Sequence, residues 1–427
     1  MQNGYTRVKT ACYLTNISMS IVGNLSPLLF LTFRDLYDIS YSLLGLLVLI
    51  NFSTQLIVDL IFSFMSHKIN MQVAVKITPL LTLCGLVIYG LTPFILPGNV
   101  YFGLVLGTVI FSASGGLSEV LISPVIAAIP SKNPEGEMSK LHSIYAWGVV
   151  GMVAVTTLFL LIFKNTSWMF LSLIYAVVPL LAFILFSGAT LPELKSAGKK
   201  EGARGILKRP ALWLSVFAIF LGGAAECTMA QWASGYIEGA LGIPKLWGDI
   251  FGVAMFSVML GLGRSMYAKF GKNIERVMFF GAIGATVCYL VAALLPVPLI
   301  GLVACGICGF CVSMLWPGSL IVVSDRVDDG VMVFALMAAG GDLGASVGPQ
   351  LMGVVTDVVA ATPWAQELAQ SLSVSPDKLG MRAGILLGML FPLTAVFVYL
   401  YMLKTKRKDD NSPREETPIK AEAEEHI

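Results

Sequence analysis

Apolar residues run through this chain in blocks of twenty or more, each closed by a short polar stretch, without the strict alternation that marks strands. Blocks of that length fit membrane-crossing helices, which need about 20 apolar residues to traverse the hydrocarbon layer. Twelve are predicted, near 11–33, 42–64, 73–95, 101–128, 138–163, 167–188, 211–239, 248–269, 276–296, 298–324, 331–360 and 381–403. The narrowest division is at Pro296-Val297-Pro298, between the ninth and tenth. The N-terminal residues enter the first block without a small-residue cleavage site, so this block is read as a membrane helix and not as a removable leader. A transmembrane barrel is disfavoured, because its strands alternate apolar and polar residues. The fold class predicted is therefore all-α, integral to the membrane.

The longest polar stretch between blocks, 189–209, divides six helices from six. Weak similarities relate the halves at a near-constant offset: Met65 and Lys68 match Met266 and Lys269, Phe111 and Ser114 match Phe310 and Ser313, and Gly148 and Gly151 match Gly341 and Gly344. The expected organisation is a six-helix bundle over 1–188, a linker over 189–209, a second six-helix bundle over 210–404 and a disordered tail over 405–427. Residues 362–373 have the pattern of a short amphipathic surface helix, with Trp364 at the interface and Leu368 and Leu372 on one face.

Composition narrows the class. Only 13% of residues are charged and 56% are apolar, with mean hydropathy +0.80, too little charge to cover soluble domains of this length. The net charge of +2 gives no reason to expect nucleic acid as a partner. Position matters more than balance. Twenty-three of the 28 basic residues fall at the N-terminus, in the even-numbered loops and in the tail, and only Arg34, Lys164, Lys245, Lys378 and Arg382 fall in the others. The positive-inside rule then places both termini in the cytoplasm of a multi-pass plasma-membrane protein.

Acids at membrane depth are costly and need an explanation. Glu119, within Ser114-Gly-Gly-Leu-Ser-Glu119, has no Lys or Arg in its own helix; a carboxyl that is hard to ionise there is what proton coupling requires. Asp342, between Gly340-Gly341 and Gly344, is the second coupling candidate, although tight packing explains its glycines equally well. Glu226 lies mid-helix with Gln231, Trp232 and Tyr236 following it. Carboxylate and amide groups bind hydroxyls, and aromatic faces pack on the C–H face of a sugar, so these four are substrate-binding candidates. The two rings also suit interface anchors. Asn24, Asn51, Gln55, Tyr145 and Trp316 join Glu119 as further candidates for substrate contact. Asp59, near the end of the second helix, is expected to meet a basic loop residue in a gating contact, with Lys68 and Lys269 as gating residues.

Other signals carry no chemistry. Cys305, Cys308 and Cys311 recur at spacing three inside an apolar helix with no His or acid nearby, and are read as small packing residues. His67, His142 and His426 form no triad or metal set, and no phosphate-binding Gly-x-x-x-x-Gly-Lys sequence occurs. No metal or cofactor is expected, and no nucleophile–base pair points to an enzyme.

Twelve helices, a central basic linker and related halves resemble a major facilitator superfamily transporter. Ser66-His67-Lys68-Ile69-Asn70 is a degenerate form of that superfamily's turn between helices 2 and 3, and Lys269-Phe270-Gly271-Lys272 is closer to it. The helix 4 acid and the helix 7 stretch most resemble the fucose-permease-like branch of sugar–proton symporters. That resemblance implies that Glu119 serves sugar binding and coupling. The helix 1 carboxylate of the branch is missing, and Asn24 is the nearest polar group. The reading is a monomeric secondary transporter moving a small polar solute, a sugar by preference, with protons. A proton-coupled exporter of amphipathic compounds and a non-transporting sensor or scaffold are the alternatives.

Overall fold

A computed structural model describes residues 5–65, 69–131, 134–192, 208–295, 297–324 and 330–411, and among them every regular element is a helix. In the first part of the chain these are α1 (Thr6–Leu28), α2 (Phe30–Tyr37), α3 (Tyr41–Met65), α4 (Met71–Ile95), α5 (Val100–Ala128), α6 (Pro134–Phe163), α7 (Trp168–Tyr175) and α8 (Val177–Ser187). The second part holds α9 (Pro210–Gly239), α10 (Met255–Phe270), α11 (Ile274–Leu294), α12 (Pro298–Val312), α13 (Leu315–Ser324), α14 (Gly330–Ala360), α15 (Pro363–Ser371), α16 (Pro376–Gly388) and α17 (Leu390–Asn411). A turn at Lys245–Gly248 and a π-helical turn at Asp249–Ala254 lead into α10.

Each of the twelve expected segments is helical. Among the described residues ten helical stretches are long and apolar enough to cross a membrane, and α1 with α2, bent by 47°, makes an eleventh if the pair is one span. The bend follows Pro27, which has no N–H to donate and whose ring crowds the preceding turn. α6 covers the expected 138–163 segment as one continuous helix, whose stretch Trp147–Phe163 is apolar. Helix starts follow local chemistry: Asn70, Asn99, Thr362 and Ser375 cap α4, α5, α15 and α16 with their side chains. Proline opens α9, α12, α15 and α16, where a missing N–H costs nothing. The surface helix α15 forms where the pattern predicts it, burying Ala365 and Ala369 and turning Trp364 and Leu372 outward. Lys68, most of the 189–209 linker and the tail beyond 411 lie outside the described residues.

The start of α1, the start of α6 and the end of α8 share one face, here the near face. Arg7 donates to the carbonyls of Ile184 and Leu185, and Lys9 pairs with Glu137 at 2.6 Å. The hydrogen bond from Lys9 holds the Glu137 carboxyl below the usual carboxylate range.

On the opposite, far face, helices before the linker meet helices after it. The most extensive such contact is α3 along α14, where Gly45 faces the carbonyl of Pro349 closely enough that a Cβ would sit 3.0 Å from it. Asp357 of α14 accepts hydrogen bonds from the backbone N–H groups of Tyr41 and Ser42, at 3.1 and 2.6 Å. A carboxylate on the first free donors of α3 also meets the positive end of that helix's dipole. Arg34 donates to Asp377 at 2.6 Å and lies 4.0 Å over the Tyr41 ring. Fully buried Asp249, in the π-helical turn, accepts from Thr157 of α6 at 2.8 Å and from Ser234, while Lys245 donates to the Leu28 carbonyl at 2.7 Å. These contacts close the far face.

Two expectations follow. Asp357→Asn should cost about 1 kcal/mol and raise hydrogen–deuterium exchange in residues 38–46; exchange equal to wild type would show that this carboxylate does not hold the far face shut. Glu137→Gln should cost less than about 1 kcal/mol at neutral pH. A lowered carboxyl pKa contributes stability that is complete at neutral pH and lost as pH falls through it, so melting curves of mutant and wild type should converge under acid conditions.

Candidate functional site

The Ser114-Gly-Gly-Leu-Ser-Glu119 sequence sets how closely α3 approaches α5. A Cβ on Gly115 would lie 3.0 Å from the Gln55 side chain, and one on Gly116 would lie 2.8 Å from Asp59 Oδ1. Without side chains there, Gln55 and Asp59 settle directly on α5, and Asp59 comes beside Glu119, one turn beyond Gly116. α14 crosses from the other side and brings Asp342. The nearest carboxyl oxygens of Asp59, Glu119 and Asp342 all lie within 4.8 Å of one another. Asp59 Oδ1 and Asp342 Oδ2 are buried with no hydrogen-bond donor. Asp59 faces two other acids; the basic loop partner expected for it, Lys68, lies outside the described residues. The cluster is also an arrangement that could hold a cation, which the separate helices gave no reason to expect.

The three acids line a cavity of about 570 Å³ between the two parts of the chain. It runs from Gly23 and Gln231 toward the near face, reaching Leu60, Ser123 and Leu141, and more than a third of the Glu119 side chain is exposed within it. Gln55, Tyr145, Gln231 and Trp316 line the same space. Gln231 donates to the Gly23 carbonyl at 3.4 Å, across the two parts of the chain. Trp316 packs against Gly223 and Gly341, where a Cβ would lie 3.0 and 2.5 Å from its ring.

Arg264 of α10 is the functional candidate that sequence reasoning passed over. It is the one basic residue among those lining the cavity. Its Nη2 lies 3.3 Å from both Glu226 oxygens, and its Nε donates to the Ser313 carbonyl at 3.1 Å. Glu226 is thus placed as the partner of Arg264. The signal was available: an arginine inside Met255-Phe-Ser-Val-Met-Leu-Gly-Leu-Gly-Arg264, within a predicted span, was counted as a marker of sidedness and not asked for its own partner.

Five of the expected substrate contacts are absent from the cavity lining: Glu226, which is held by Arg264, and four others. Trp232 is fully buried, packs on the rings of Phe30 and Tyr41, and gives its N–H to the Pro349 carbonyl at 3.0 Å. Tyr236, also fully buried, gives its hydroxyl proton to the Ala292 carbonyl at 2.5 Å. Each ring spends its one donor inside the protein, so both are packing residues. Asn51 is buried between α3 and α5, accepting from Ser112 and Gln55 at 2.5 and 3.0 Å. Asn24 donates to the Ser20 carbonyl at 2.9 Å and reaches the Tyr145 hydroxyl, so it orients a lining residue without lining the cavity itself. Lys269 is exposed at the end of α10, beside the Phe270 ring. Cys305 and Cys308 are buried free thiols, as their spacing in an apolar helix led us to expect.

The family model of the Major Facilitator Superfamily matches residues 11–349. Among curated proteins no relative was found. Solved structures resemble the chain over nearly its whole length. A bacterial homologue of the human lysosomal transporter Spinster, in an inward-facing and occupied conformation, shares 15% identity, with a TM-score of 0.76 over 96% of this chain and 99% of that one. A D-xylose–proton symporter shares 15%, with 0.70 over 92% and 98%. The E. coli fucose:proton symporter FucP shares 14%, with 0.59 over 93% and 99%. At such identities the likeness is one of fold. The extent of the family match, together with an all-helical membrane architecture built around a central cavity, makes this chain a member of the Major Facilitator Superfamily.

Proposed function

We propose that the protein is a secondary active transporter that carries a small polar solute, a sugar by preference, together with protons. Two six-helix units, 1–188 and 210–404, would alternate access to the cavity between them. The observation that carries this reading is the contrast between the two faces. On the far face Asp357, Asp377 and Asp249 each bond to groups from the other part of the chain, whereas the acids that line the cavity, Asp59, Glu119 and Asp342, lie together there, with Asp59 Oδ1 and Asp342 Oδ2 unpartnered. The concentration of basic residues supports assigning the near face to the cytoplasm.

In this reading Glu119 and Asp342 exchange protons. An ionised carboxylate opposes closure of a cavity that excludes water, because its charge would lose its hydration; a protonated one does not. Gln55, Tyr145 and Gln231 can bond to hydroxyl groups, and Trp316 offers a ring face to the apolar side of a sugar. The sugar–proton symporters among the similar structures support this substrate class by fold alone.

In proteoliposomes with an imposed proton gradient, Glu119→Gln should abolish uphill accumulation while counterflow continues; uphill uptake equal to wild type would remove the coupling role. Trp316→Ala should raise the KM for counterflow about tenfold, the loss expected for one well-packed aromatic contact, with little change in the maximal rate. Displacement of bound substrate by lipophilic cations but not by sugars would replace this reading with an exporter of amphipathic compounds.

A further inference from the structure

We infer that the groove between the π-helical entry to α10 and the start of α12 binds one glycerophospholipid of the leaflet on the far-face side, and that this lipid braces the turn that carries Asp249. The groove encloses about 730 Å³, within the range of small-molecule sites, about 300–1,000 Å³. Every residue lining it is apolar, with Trp247, Phe251 and Met255 on one wall and Val297, Leu302 and Val303 on the other. It shares no lining residue with the central cavity, and nothing in it could bond to a sugar.

Close packing further along the same two helices gives the groove a closed end. A Cβ on Gly306 would collide with Met255 and lie 3.1 Å from the Phe251 carbonyl oxygen, and one on Gly309 would collide with the Phe256 carbonyl. α12 begins at Pro298, so its wall residues lie in the first turns, on the far-face side of that contact. At about 1.5 Å per residue, the wall from Trp247 to Met255 is about 12 Å long, most of one leaflet's ~15 Å share of the hydrocarbon layer. A transmembrane helix of a second protein, about 10–12 Å across and spanning both leaflets, does not match a groove closed at that depth. A single acyl chain does.

The mouth of the groove fixes the class of lipid. Trp247, near the start of the candidate span Lys245–Tyr267, is 49% exposed and stacks on Phe251 with 5.8 Å between ring centroids. Among the described residues its indole N–H meets no acceptor. A tryptophan at the boundary of a span gives that N–H to the polar groups of lipid. An ester or phosphate oxygen joined to a hydrocarbon chain satisfies the N–H while the chain fills the groove. The other side of the same segment faces inward. Asp249, between Trp247 and Phe251, is fully buried and accepts from Thr157 of α6 and from Ser234, while Lys245 donates to the Leu28 carbonyl. An acyl chain lodged against Trp247, Phe251 and Met255 therefore restrains the turn that joins the two parts of the protein on the far face. Binding does not depend on the transport reading and is measured without flux.

The test is photolabelling of the full-length protein in detergent with a phosphatidylglycerol that carries a diazirine in one acyl chain. Label on residues 247–255 and 297–303 should saturate as lipid is added, whereas label on the exposed apolar residues 161–163 of α6 should keep rising in proportion. Leu302→Trp, which fills the groove, should cut groove labelling at least fivefold and leave α6 labelling unchanged. Trp247→Phe, which keeps a ring and removes the N–H, should raise the half-saturating concentration several-fold. Saturating lipid should slow hydrogen–deuterium exchange across residues 245–256. Groove label that rises in step with α6 label, or that survives Leu302→Trp, would show bulk lipid only and overturn the site. An unchanged half-saturation in Trp247→Phe overturns the contact with the lipid's polar group, and unchanged exchange overturns the brace. Should Leu302→Trp fail to fold, competition on the wild type decides: unlabelled dioleoylphosphatidylglycerol displacing groove label but not α6 label supports the site, and equal displacement at both refutes it.

Discussion

A charge placed among helices that face lipid has no bulk water to stabilise it, and the arrangement of this protein follows from how each such charge is accommodated. Asp357 is met by the backbone N–H groups that open α3, Asp377 by Arg34, and Asp249 by Thr157, Ser234 and Lys245. In each case the partner comes wholly or partly from the other side of the linker. Satisfying the charge and closing the far face are therefore one event. Because water bonds to the same groups when they are exposed, each of these contacts contributes only a modest net stabilisation.

The cavity groups are accommodated differently. Arg264 is held by Glu226, which lies outside the lining, whereas the lining acids Asp59, Glu119 and Asp342 lie together. Such a cluster is sensitive to protonation, because a proton relieves repulsion between helices belonging to different parts of the chain.

The residues that line the cavity were only partly legible beforehand. Glu119, Asp342, Gln55, Tyr145, Gln231 and Trp316 stood out as polar or aromatic groups at membrane depth, and all six line it. Trp232 and Tyr236 looked equally suitable, yet both are packed away. α9 explains the failure: it is buried on nearly every side, so its apolar pattern has no dry and wet face to read. That Asp59 lies beside two other acids was not legible, because depth along a helix can be read from sequence but direction around it cannot. Arg264 was overlooked for a related reason, since its carboxylate partner lies on another helix.

Composition and block length alone determined that the chain is helical and crosses a membrane many times, because lipid leaves a backbone few other ways to satisfy its hydrogen bonds. The distribution of lysine and arginine set the expected sidedness, and the central polar stretch set the expected division. Which acids meet, which aromatic rings pack and which arginine answers which glutamate were decided only when helices distant in sequence came together. Those pairings depend on rotations and on close approaches at glycines such as Gly45, Gly115 and Gly116, where what lies opposite belongs to another helix and leaves no mark in the local pattern.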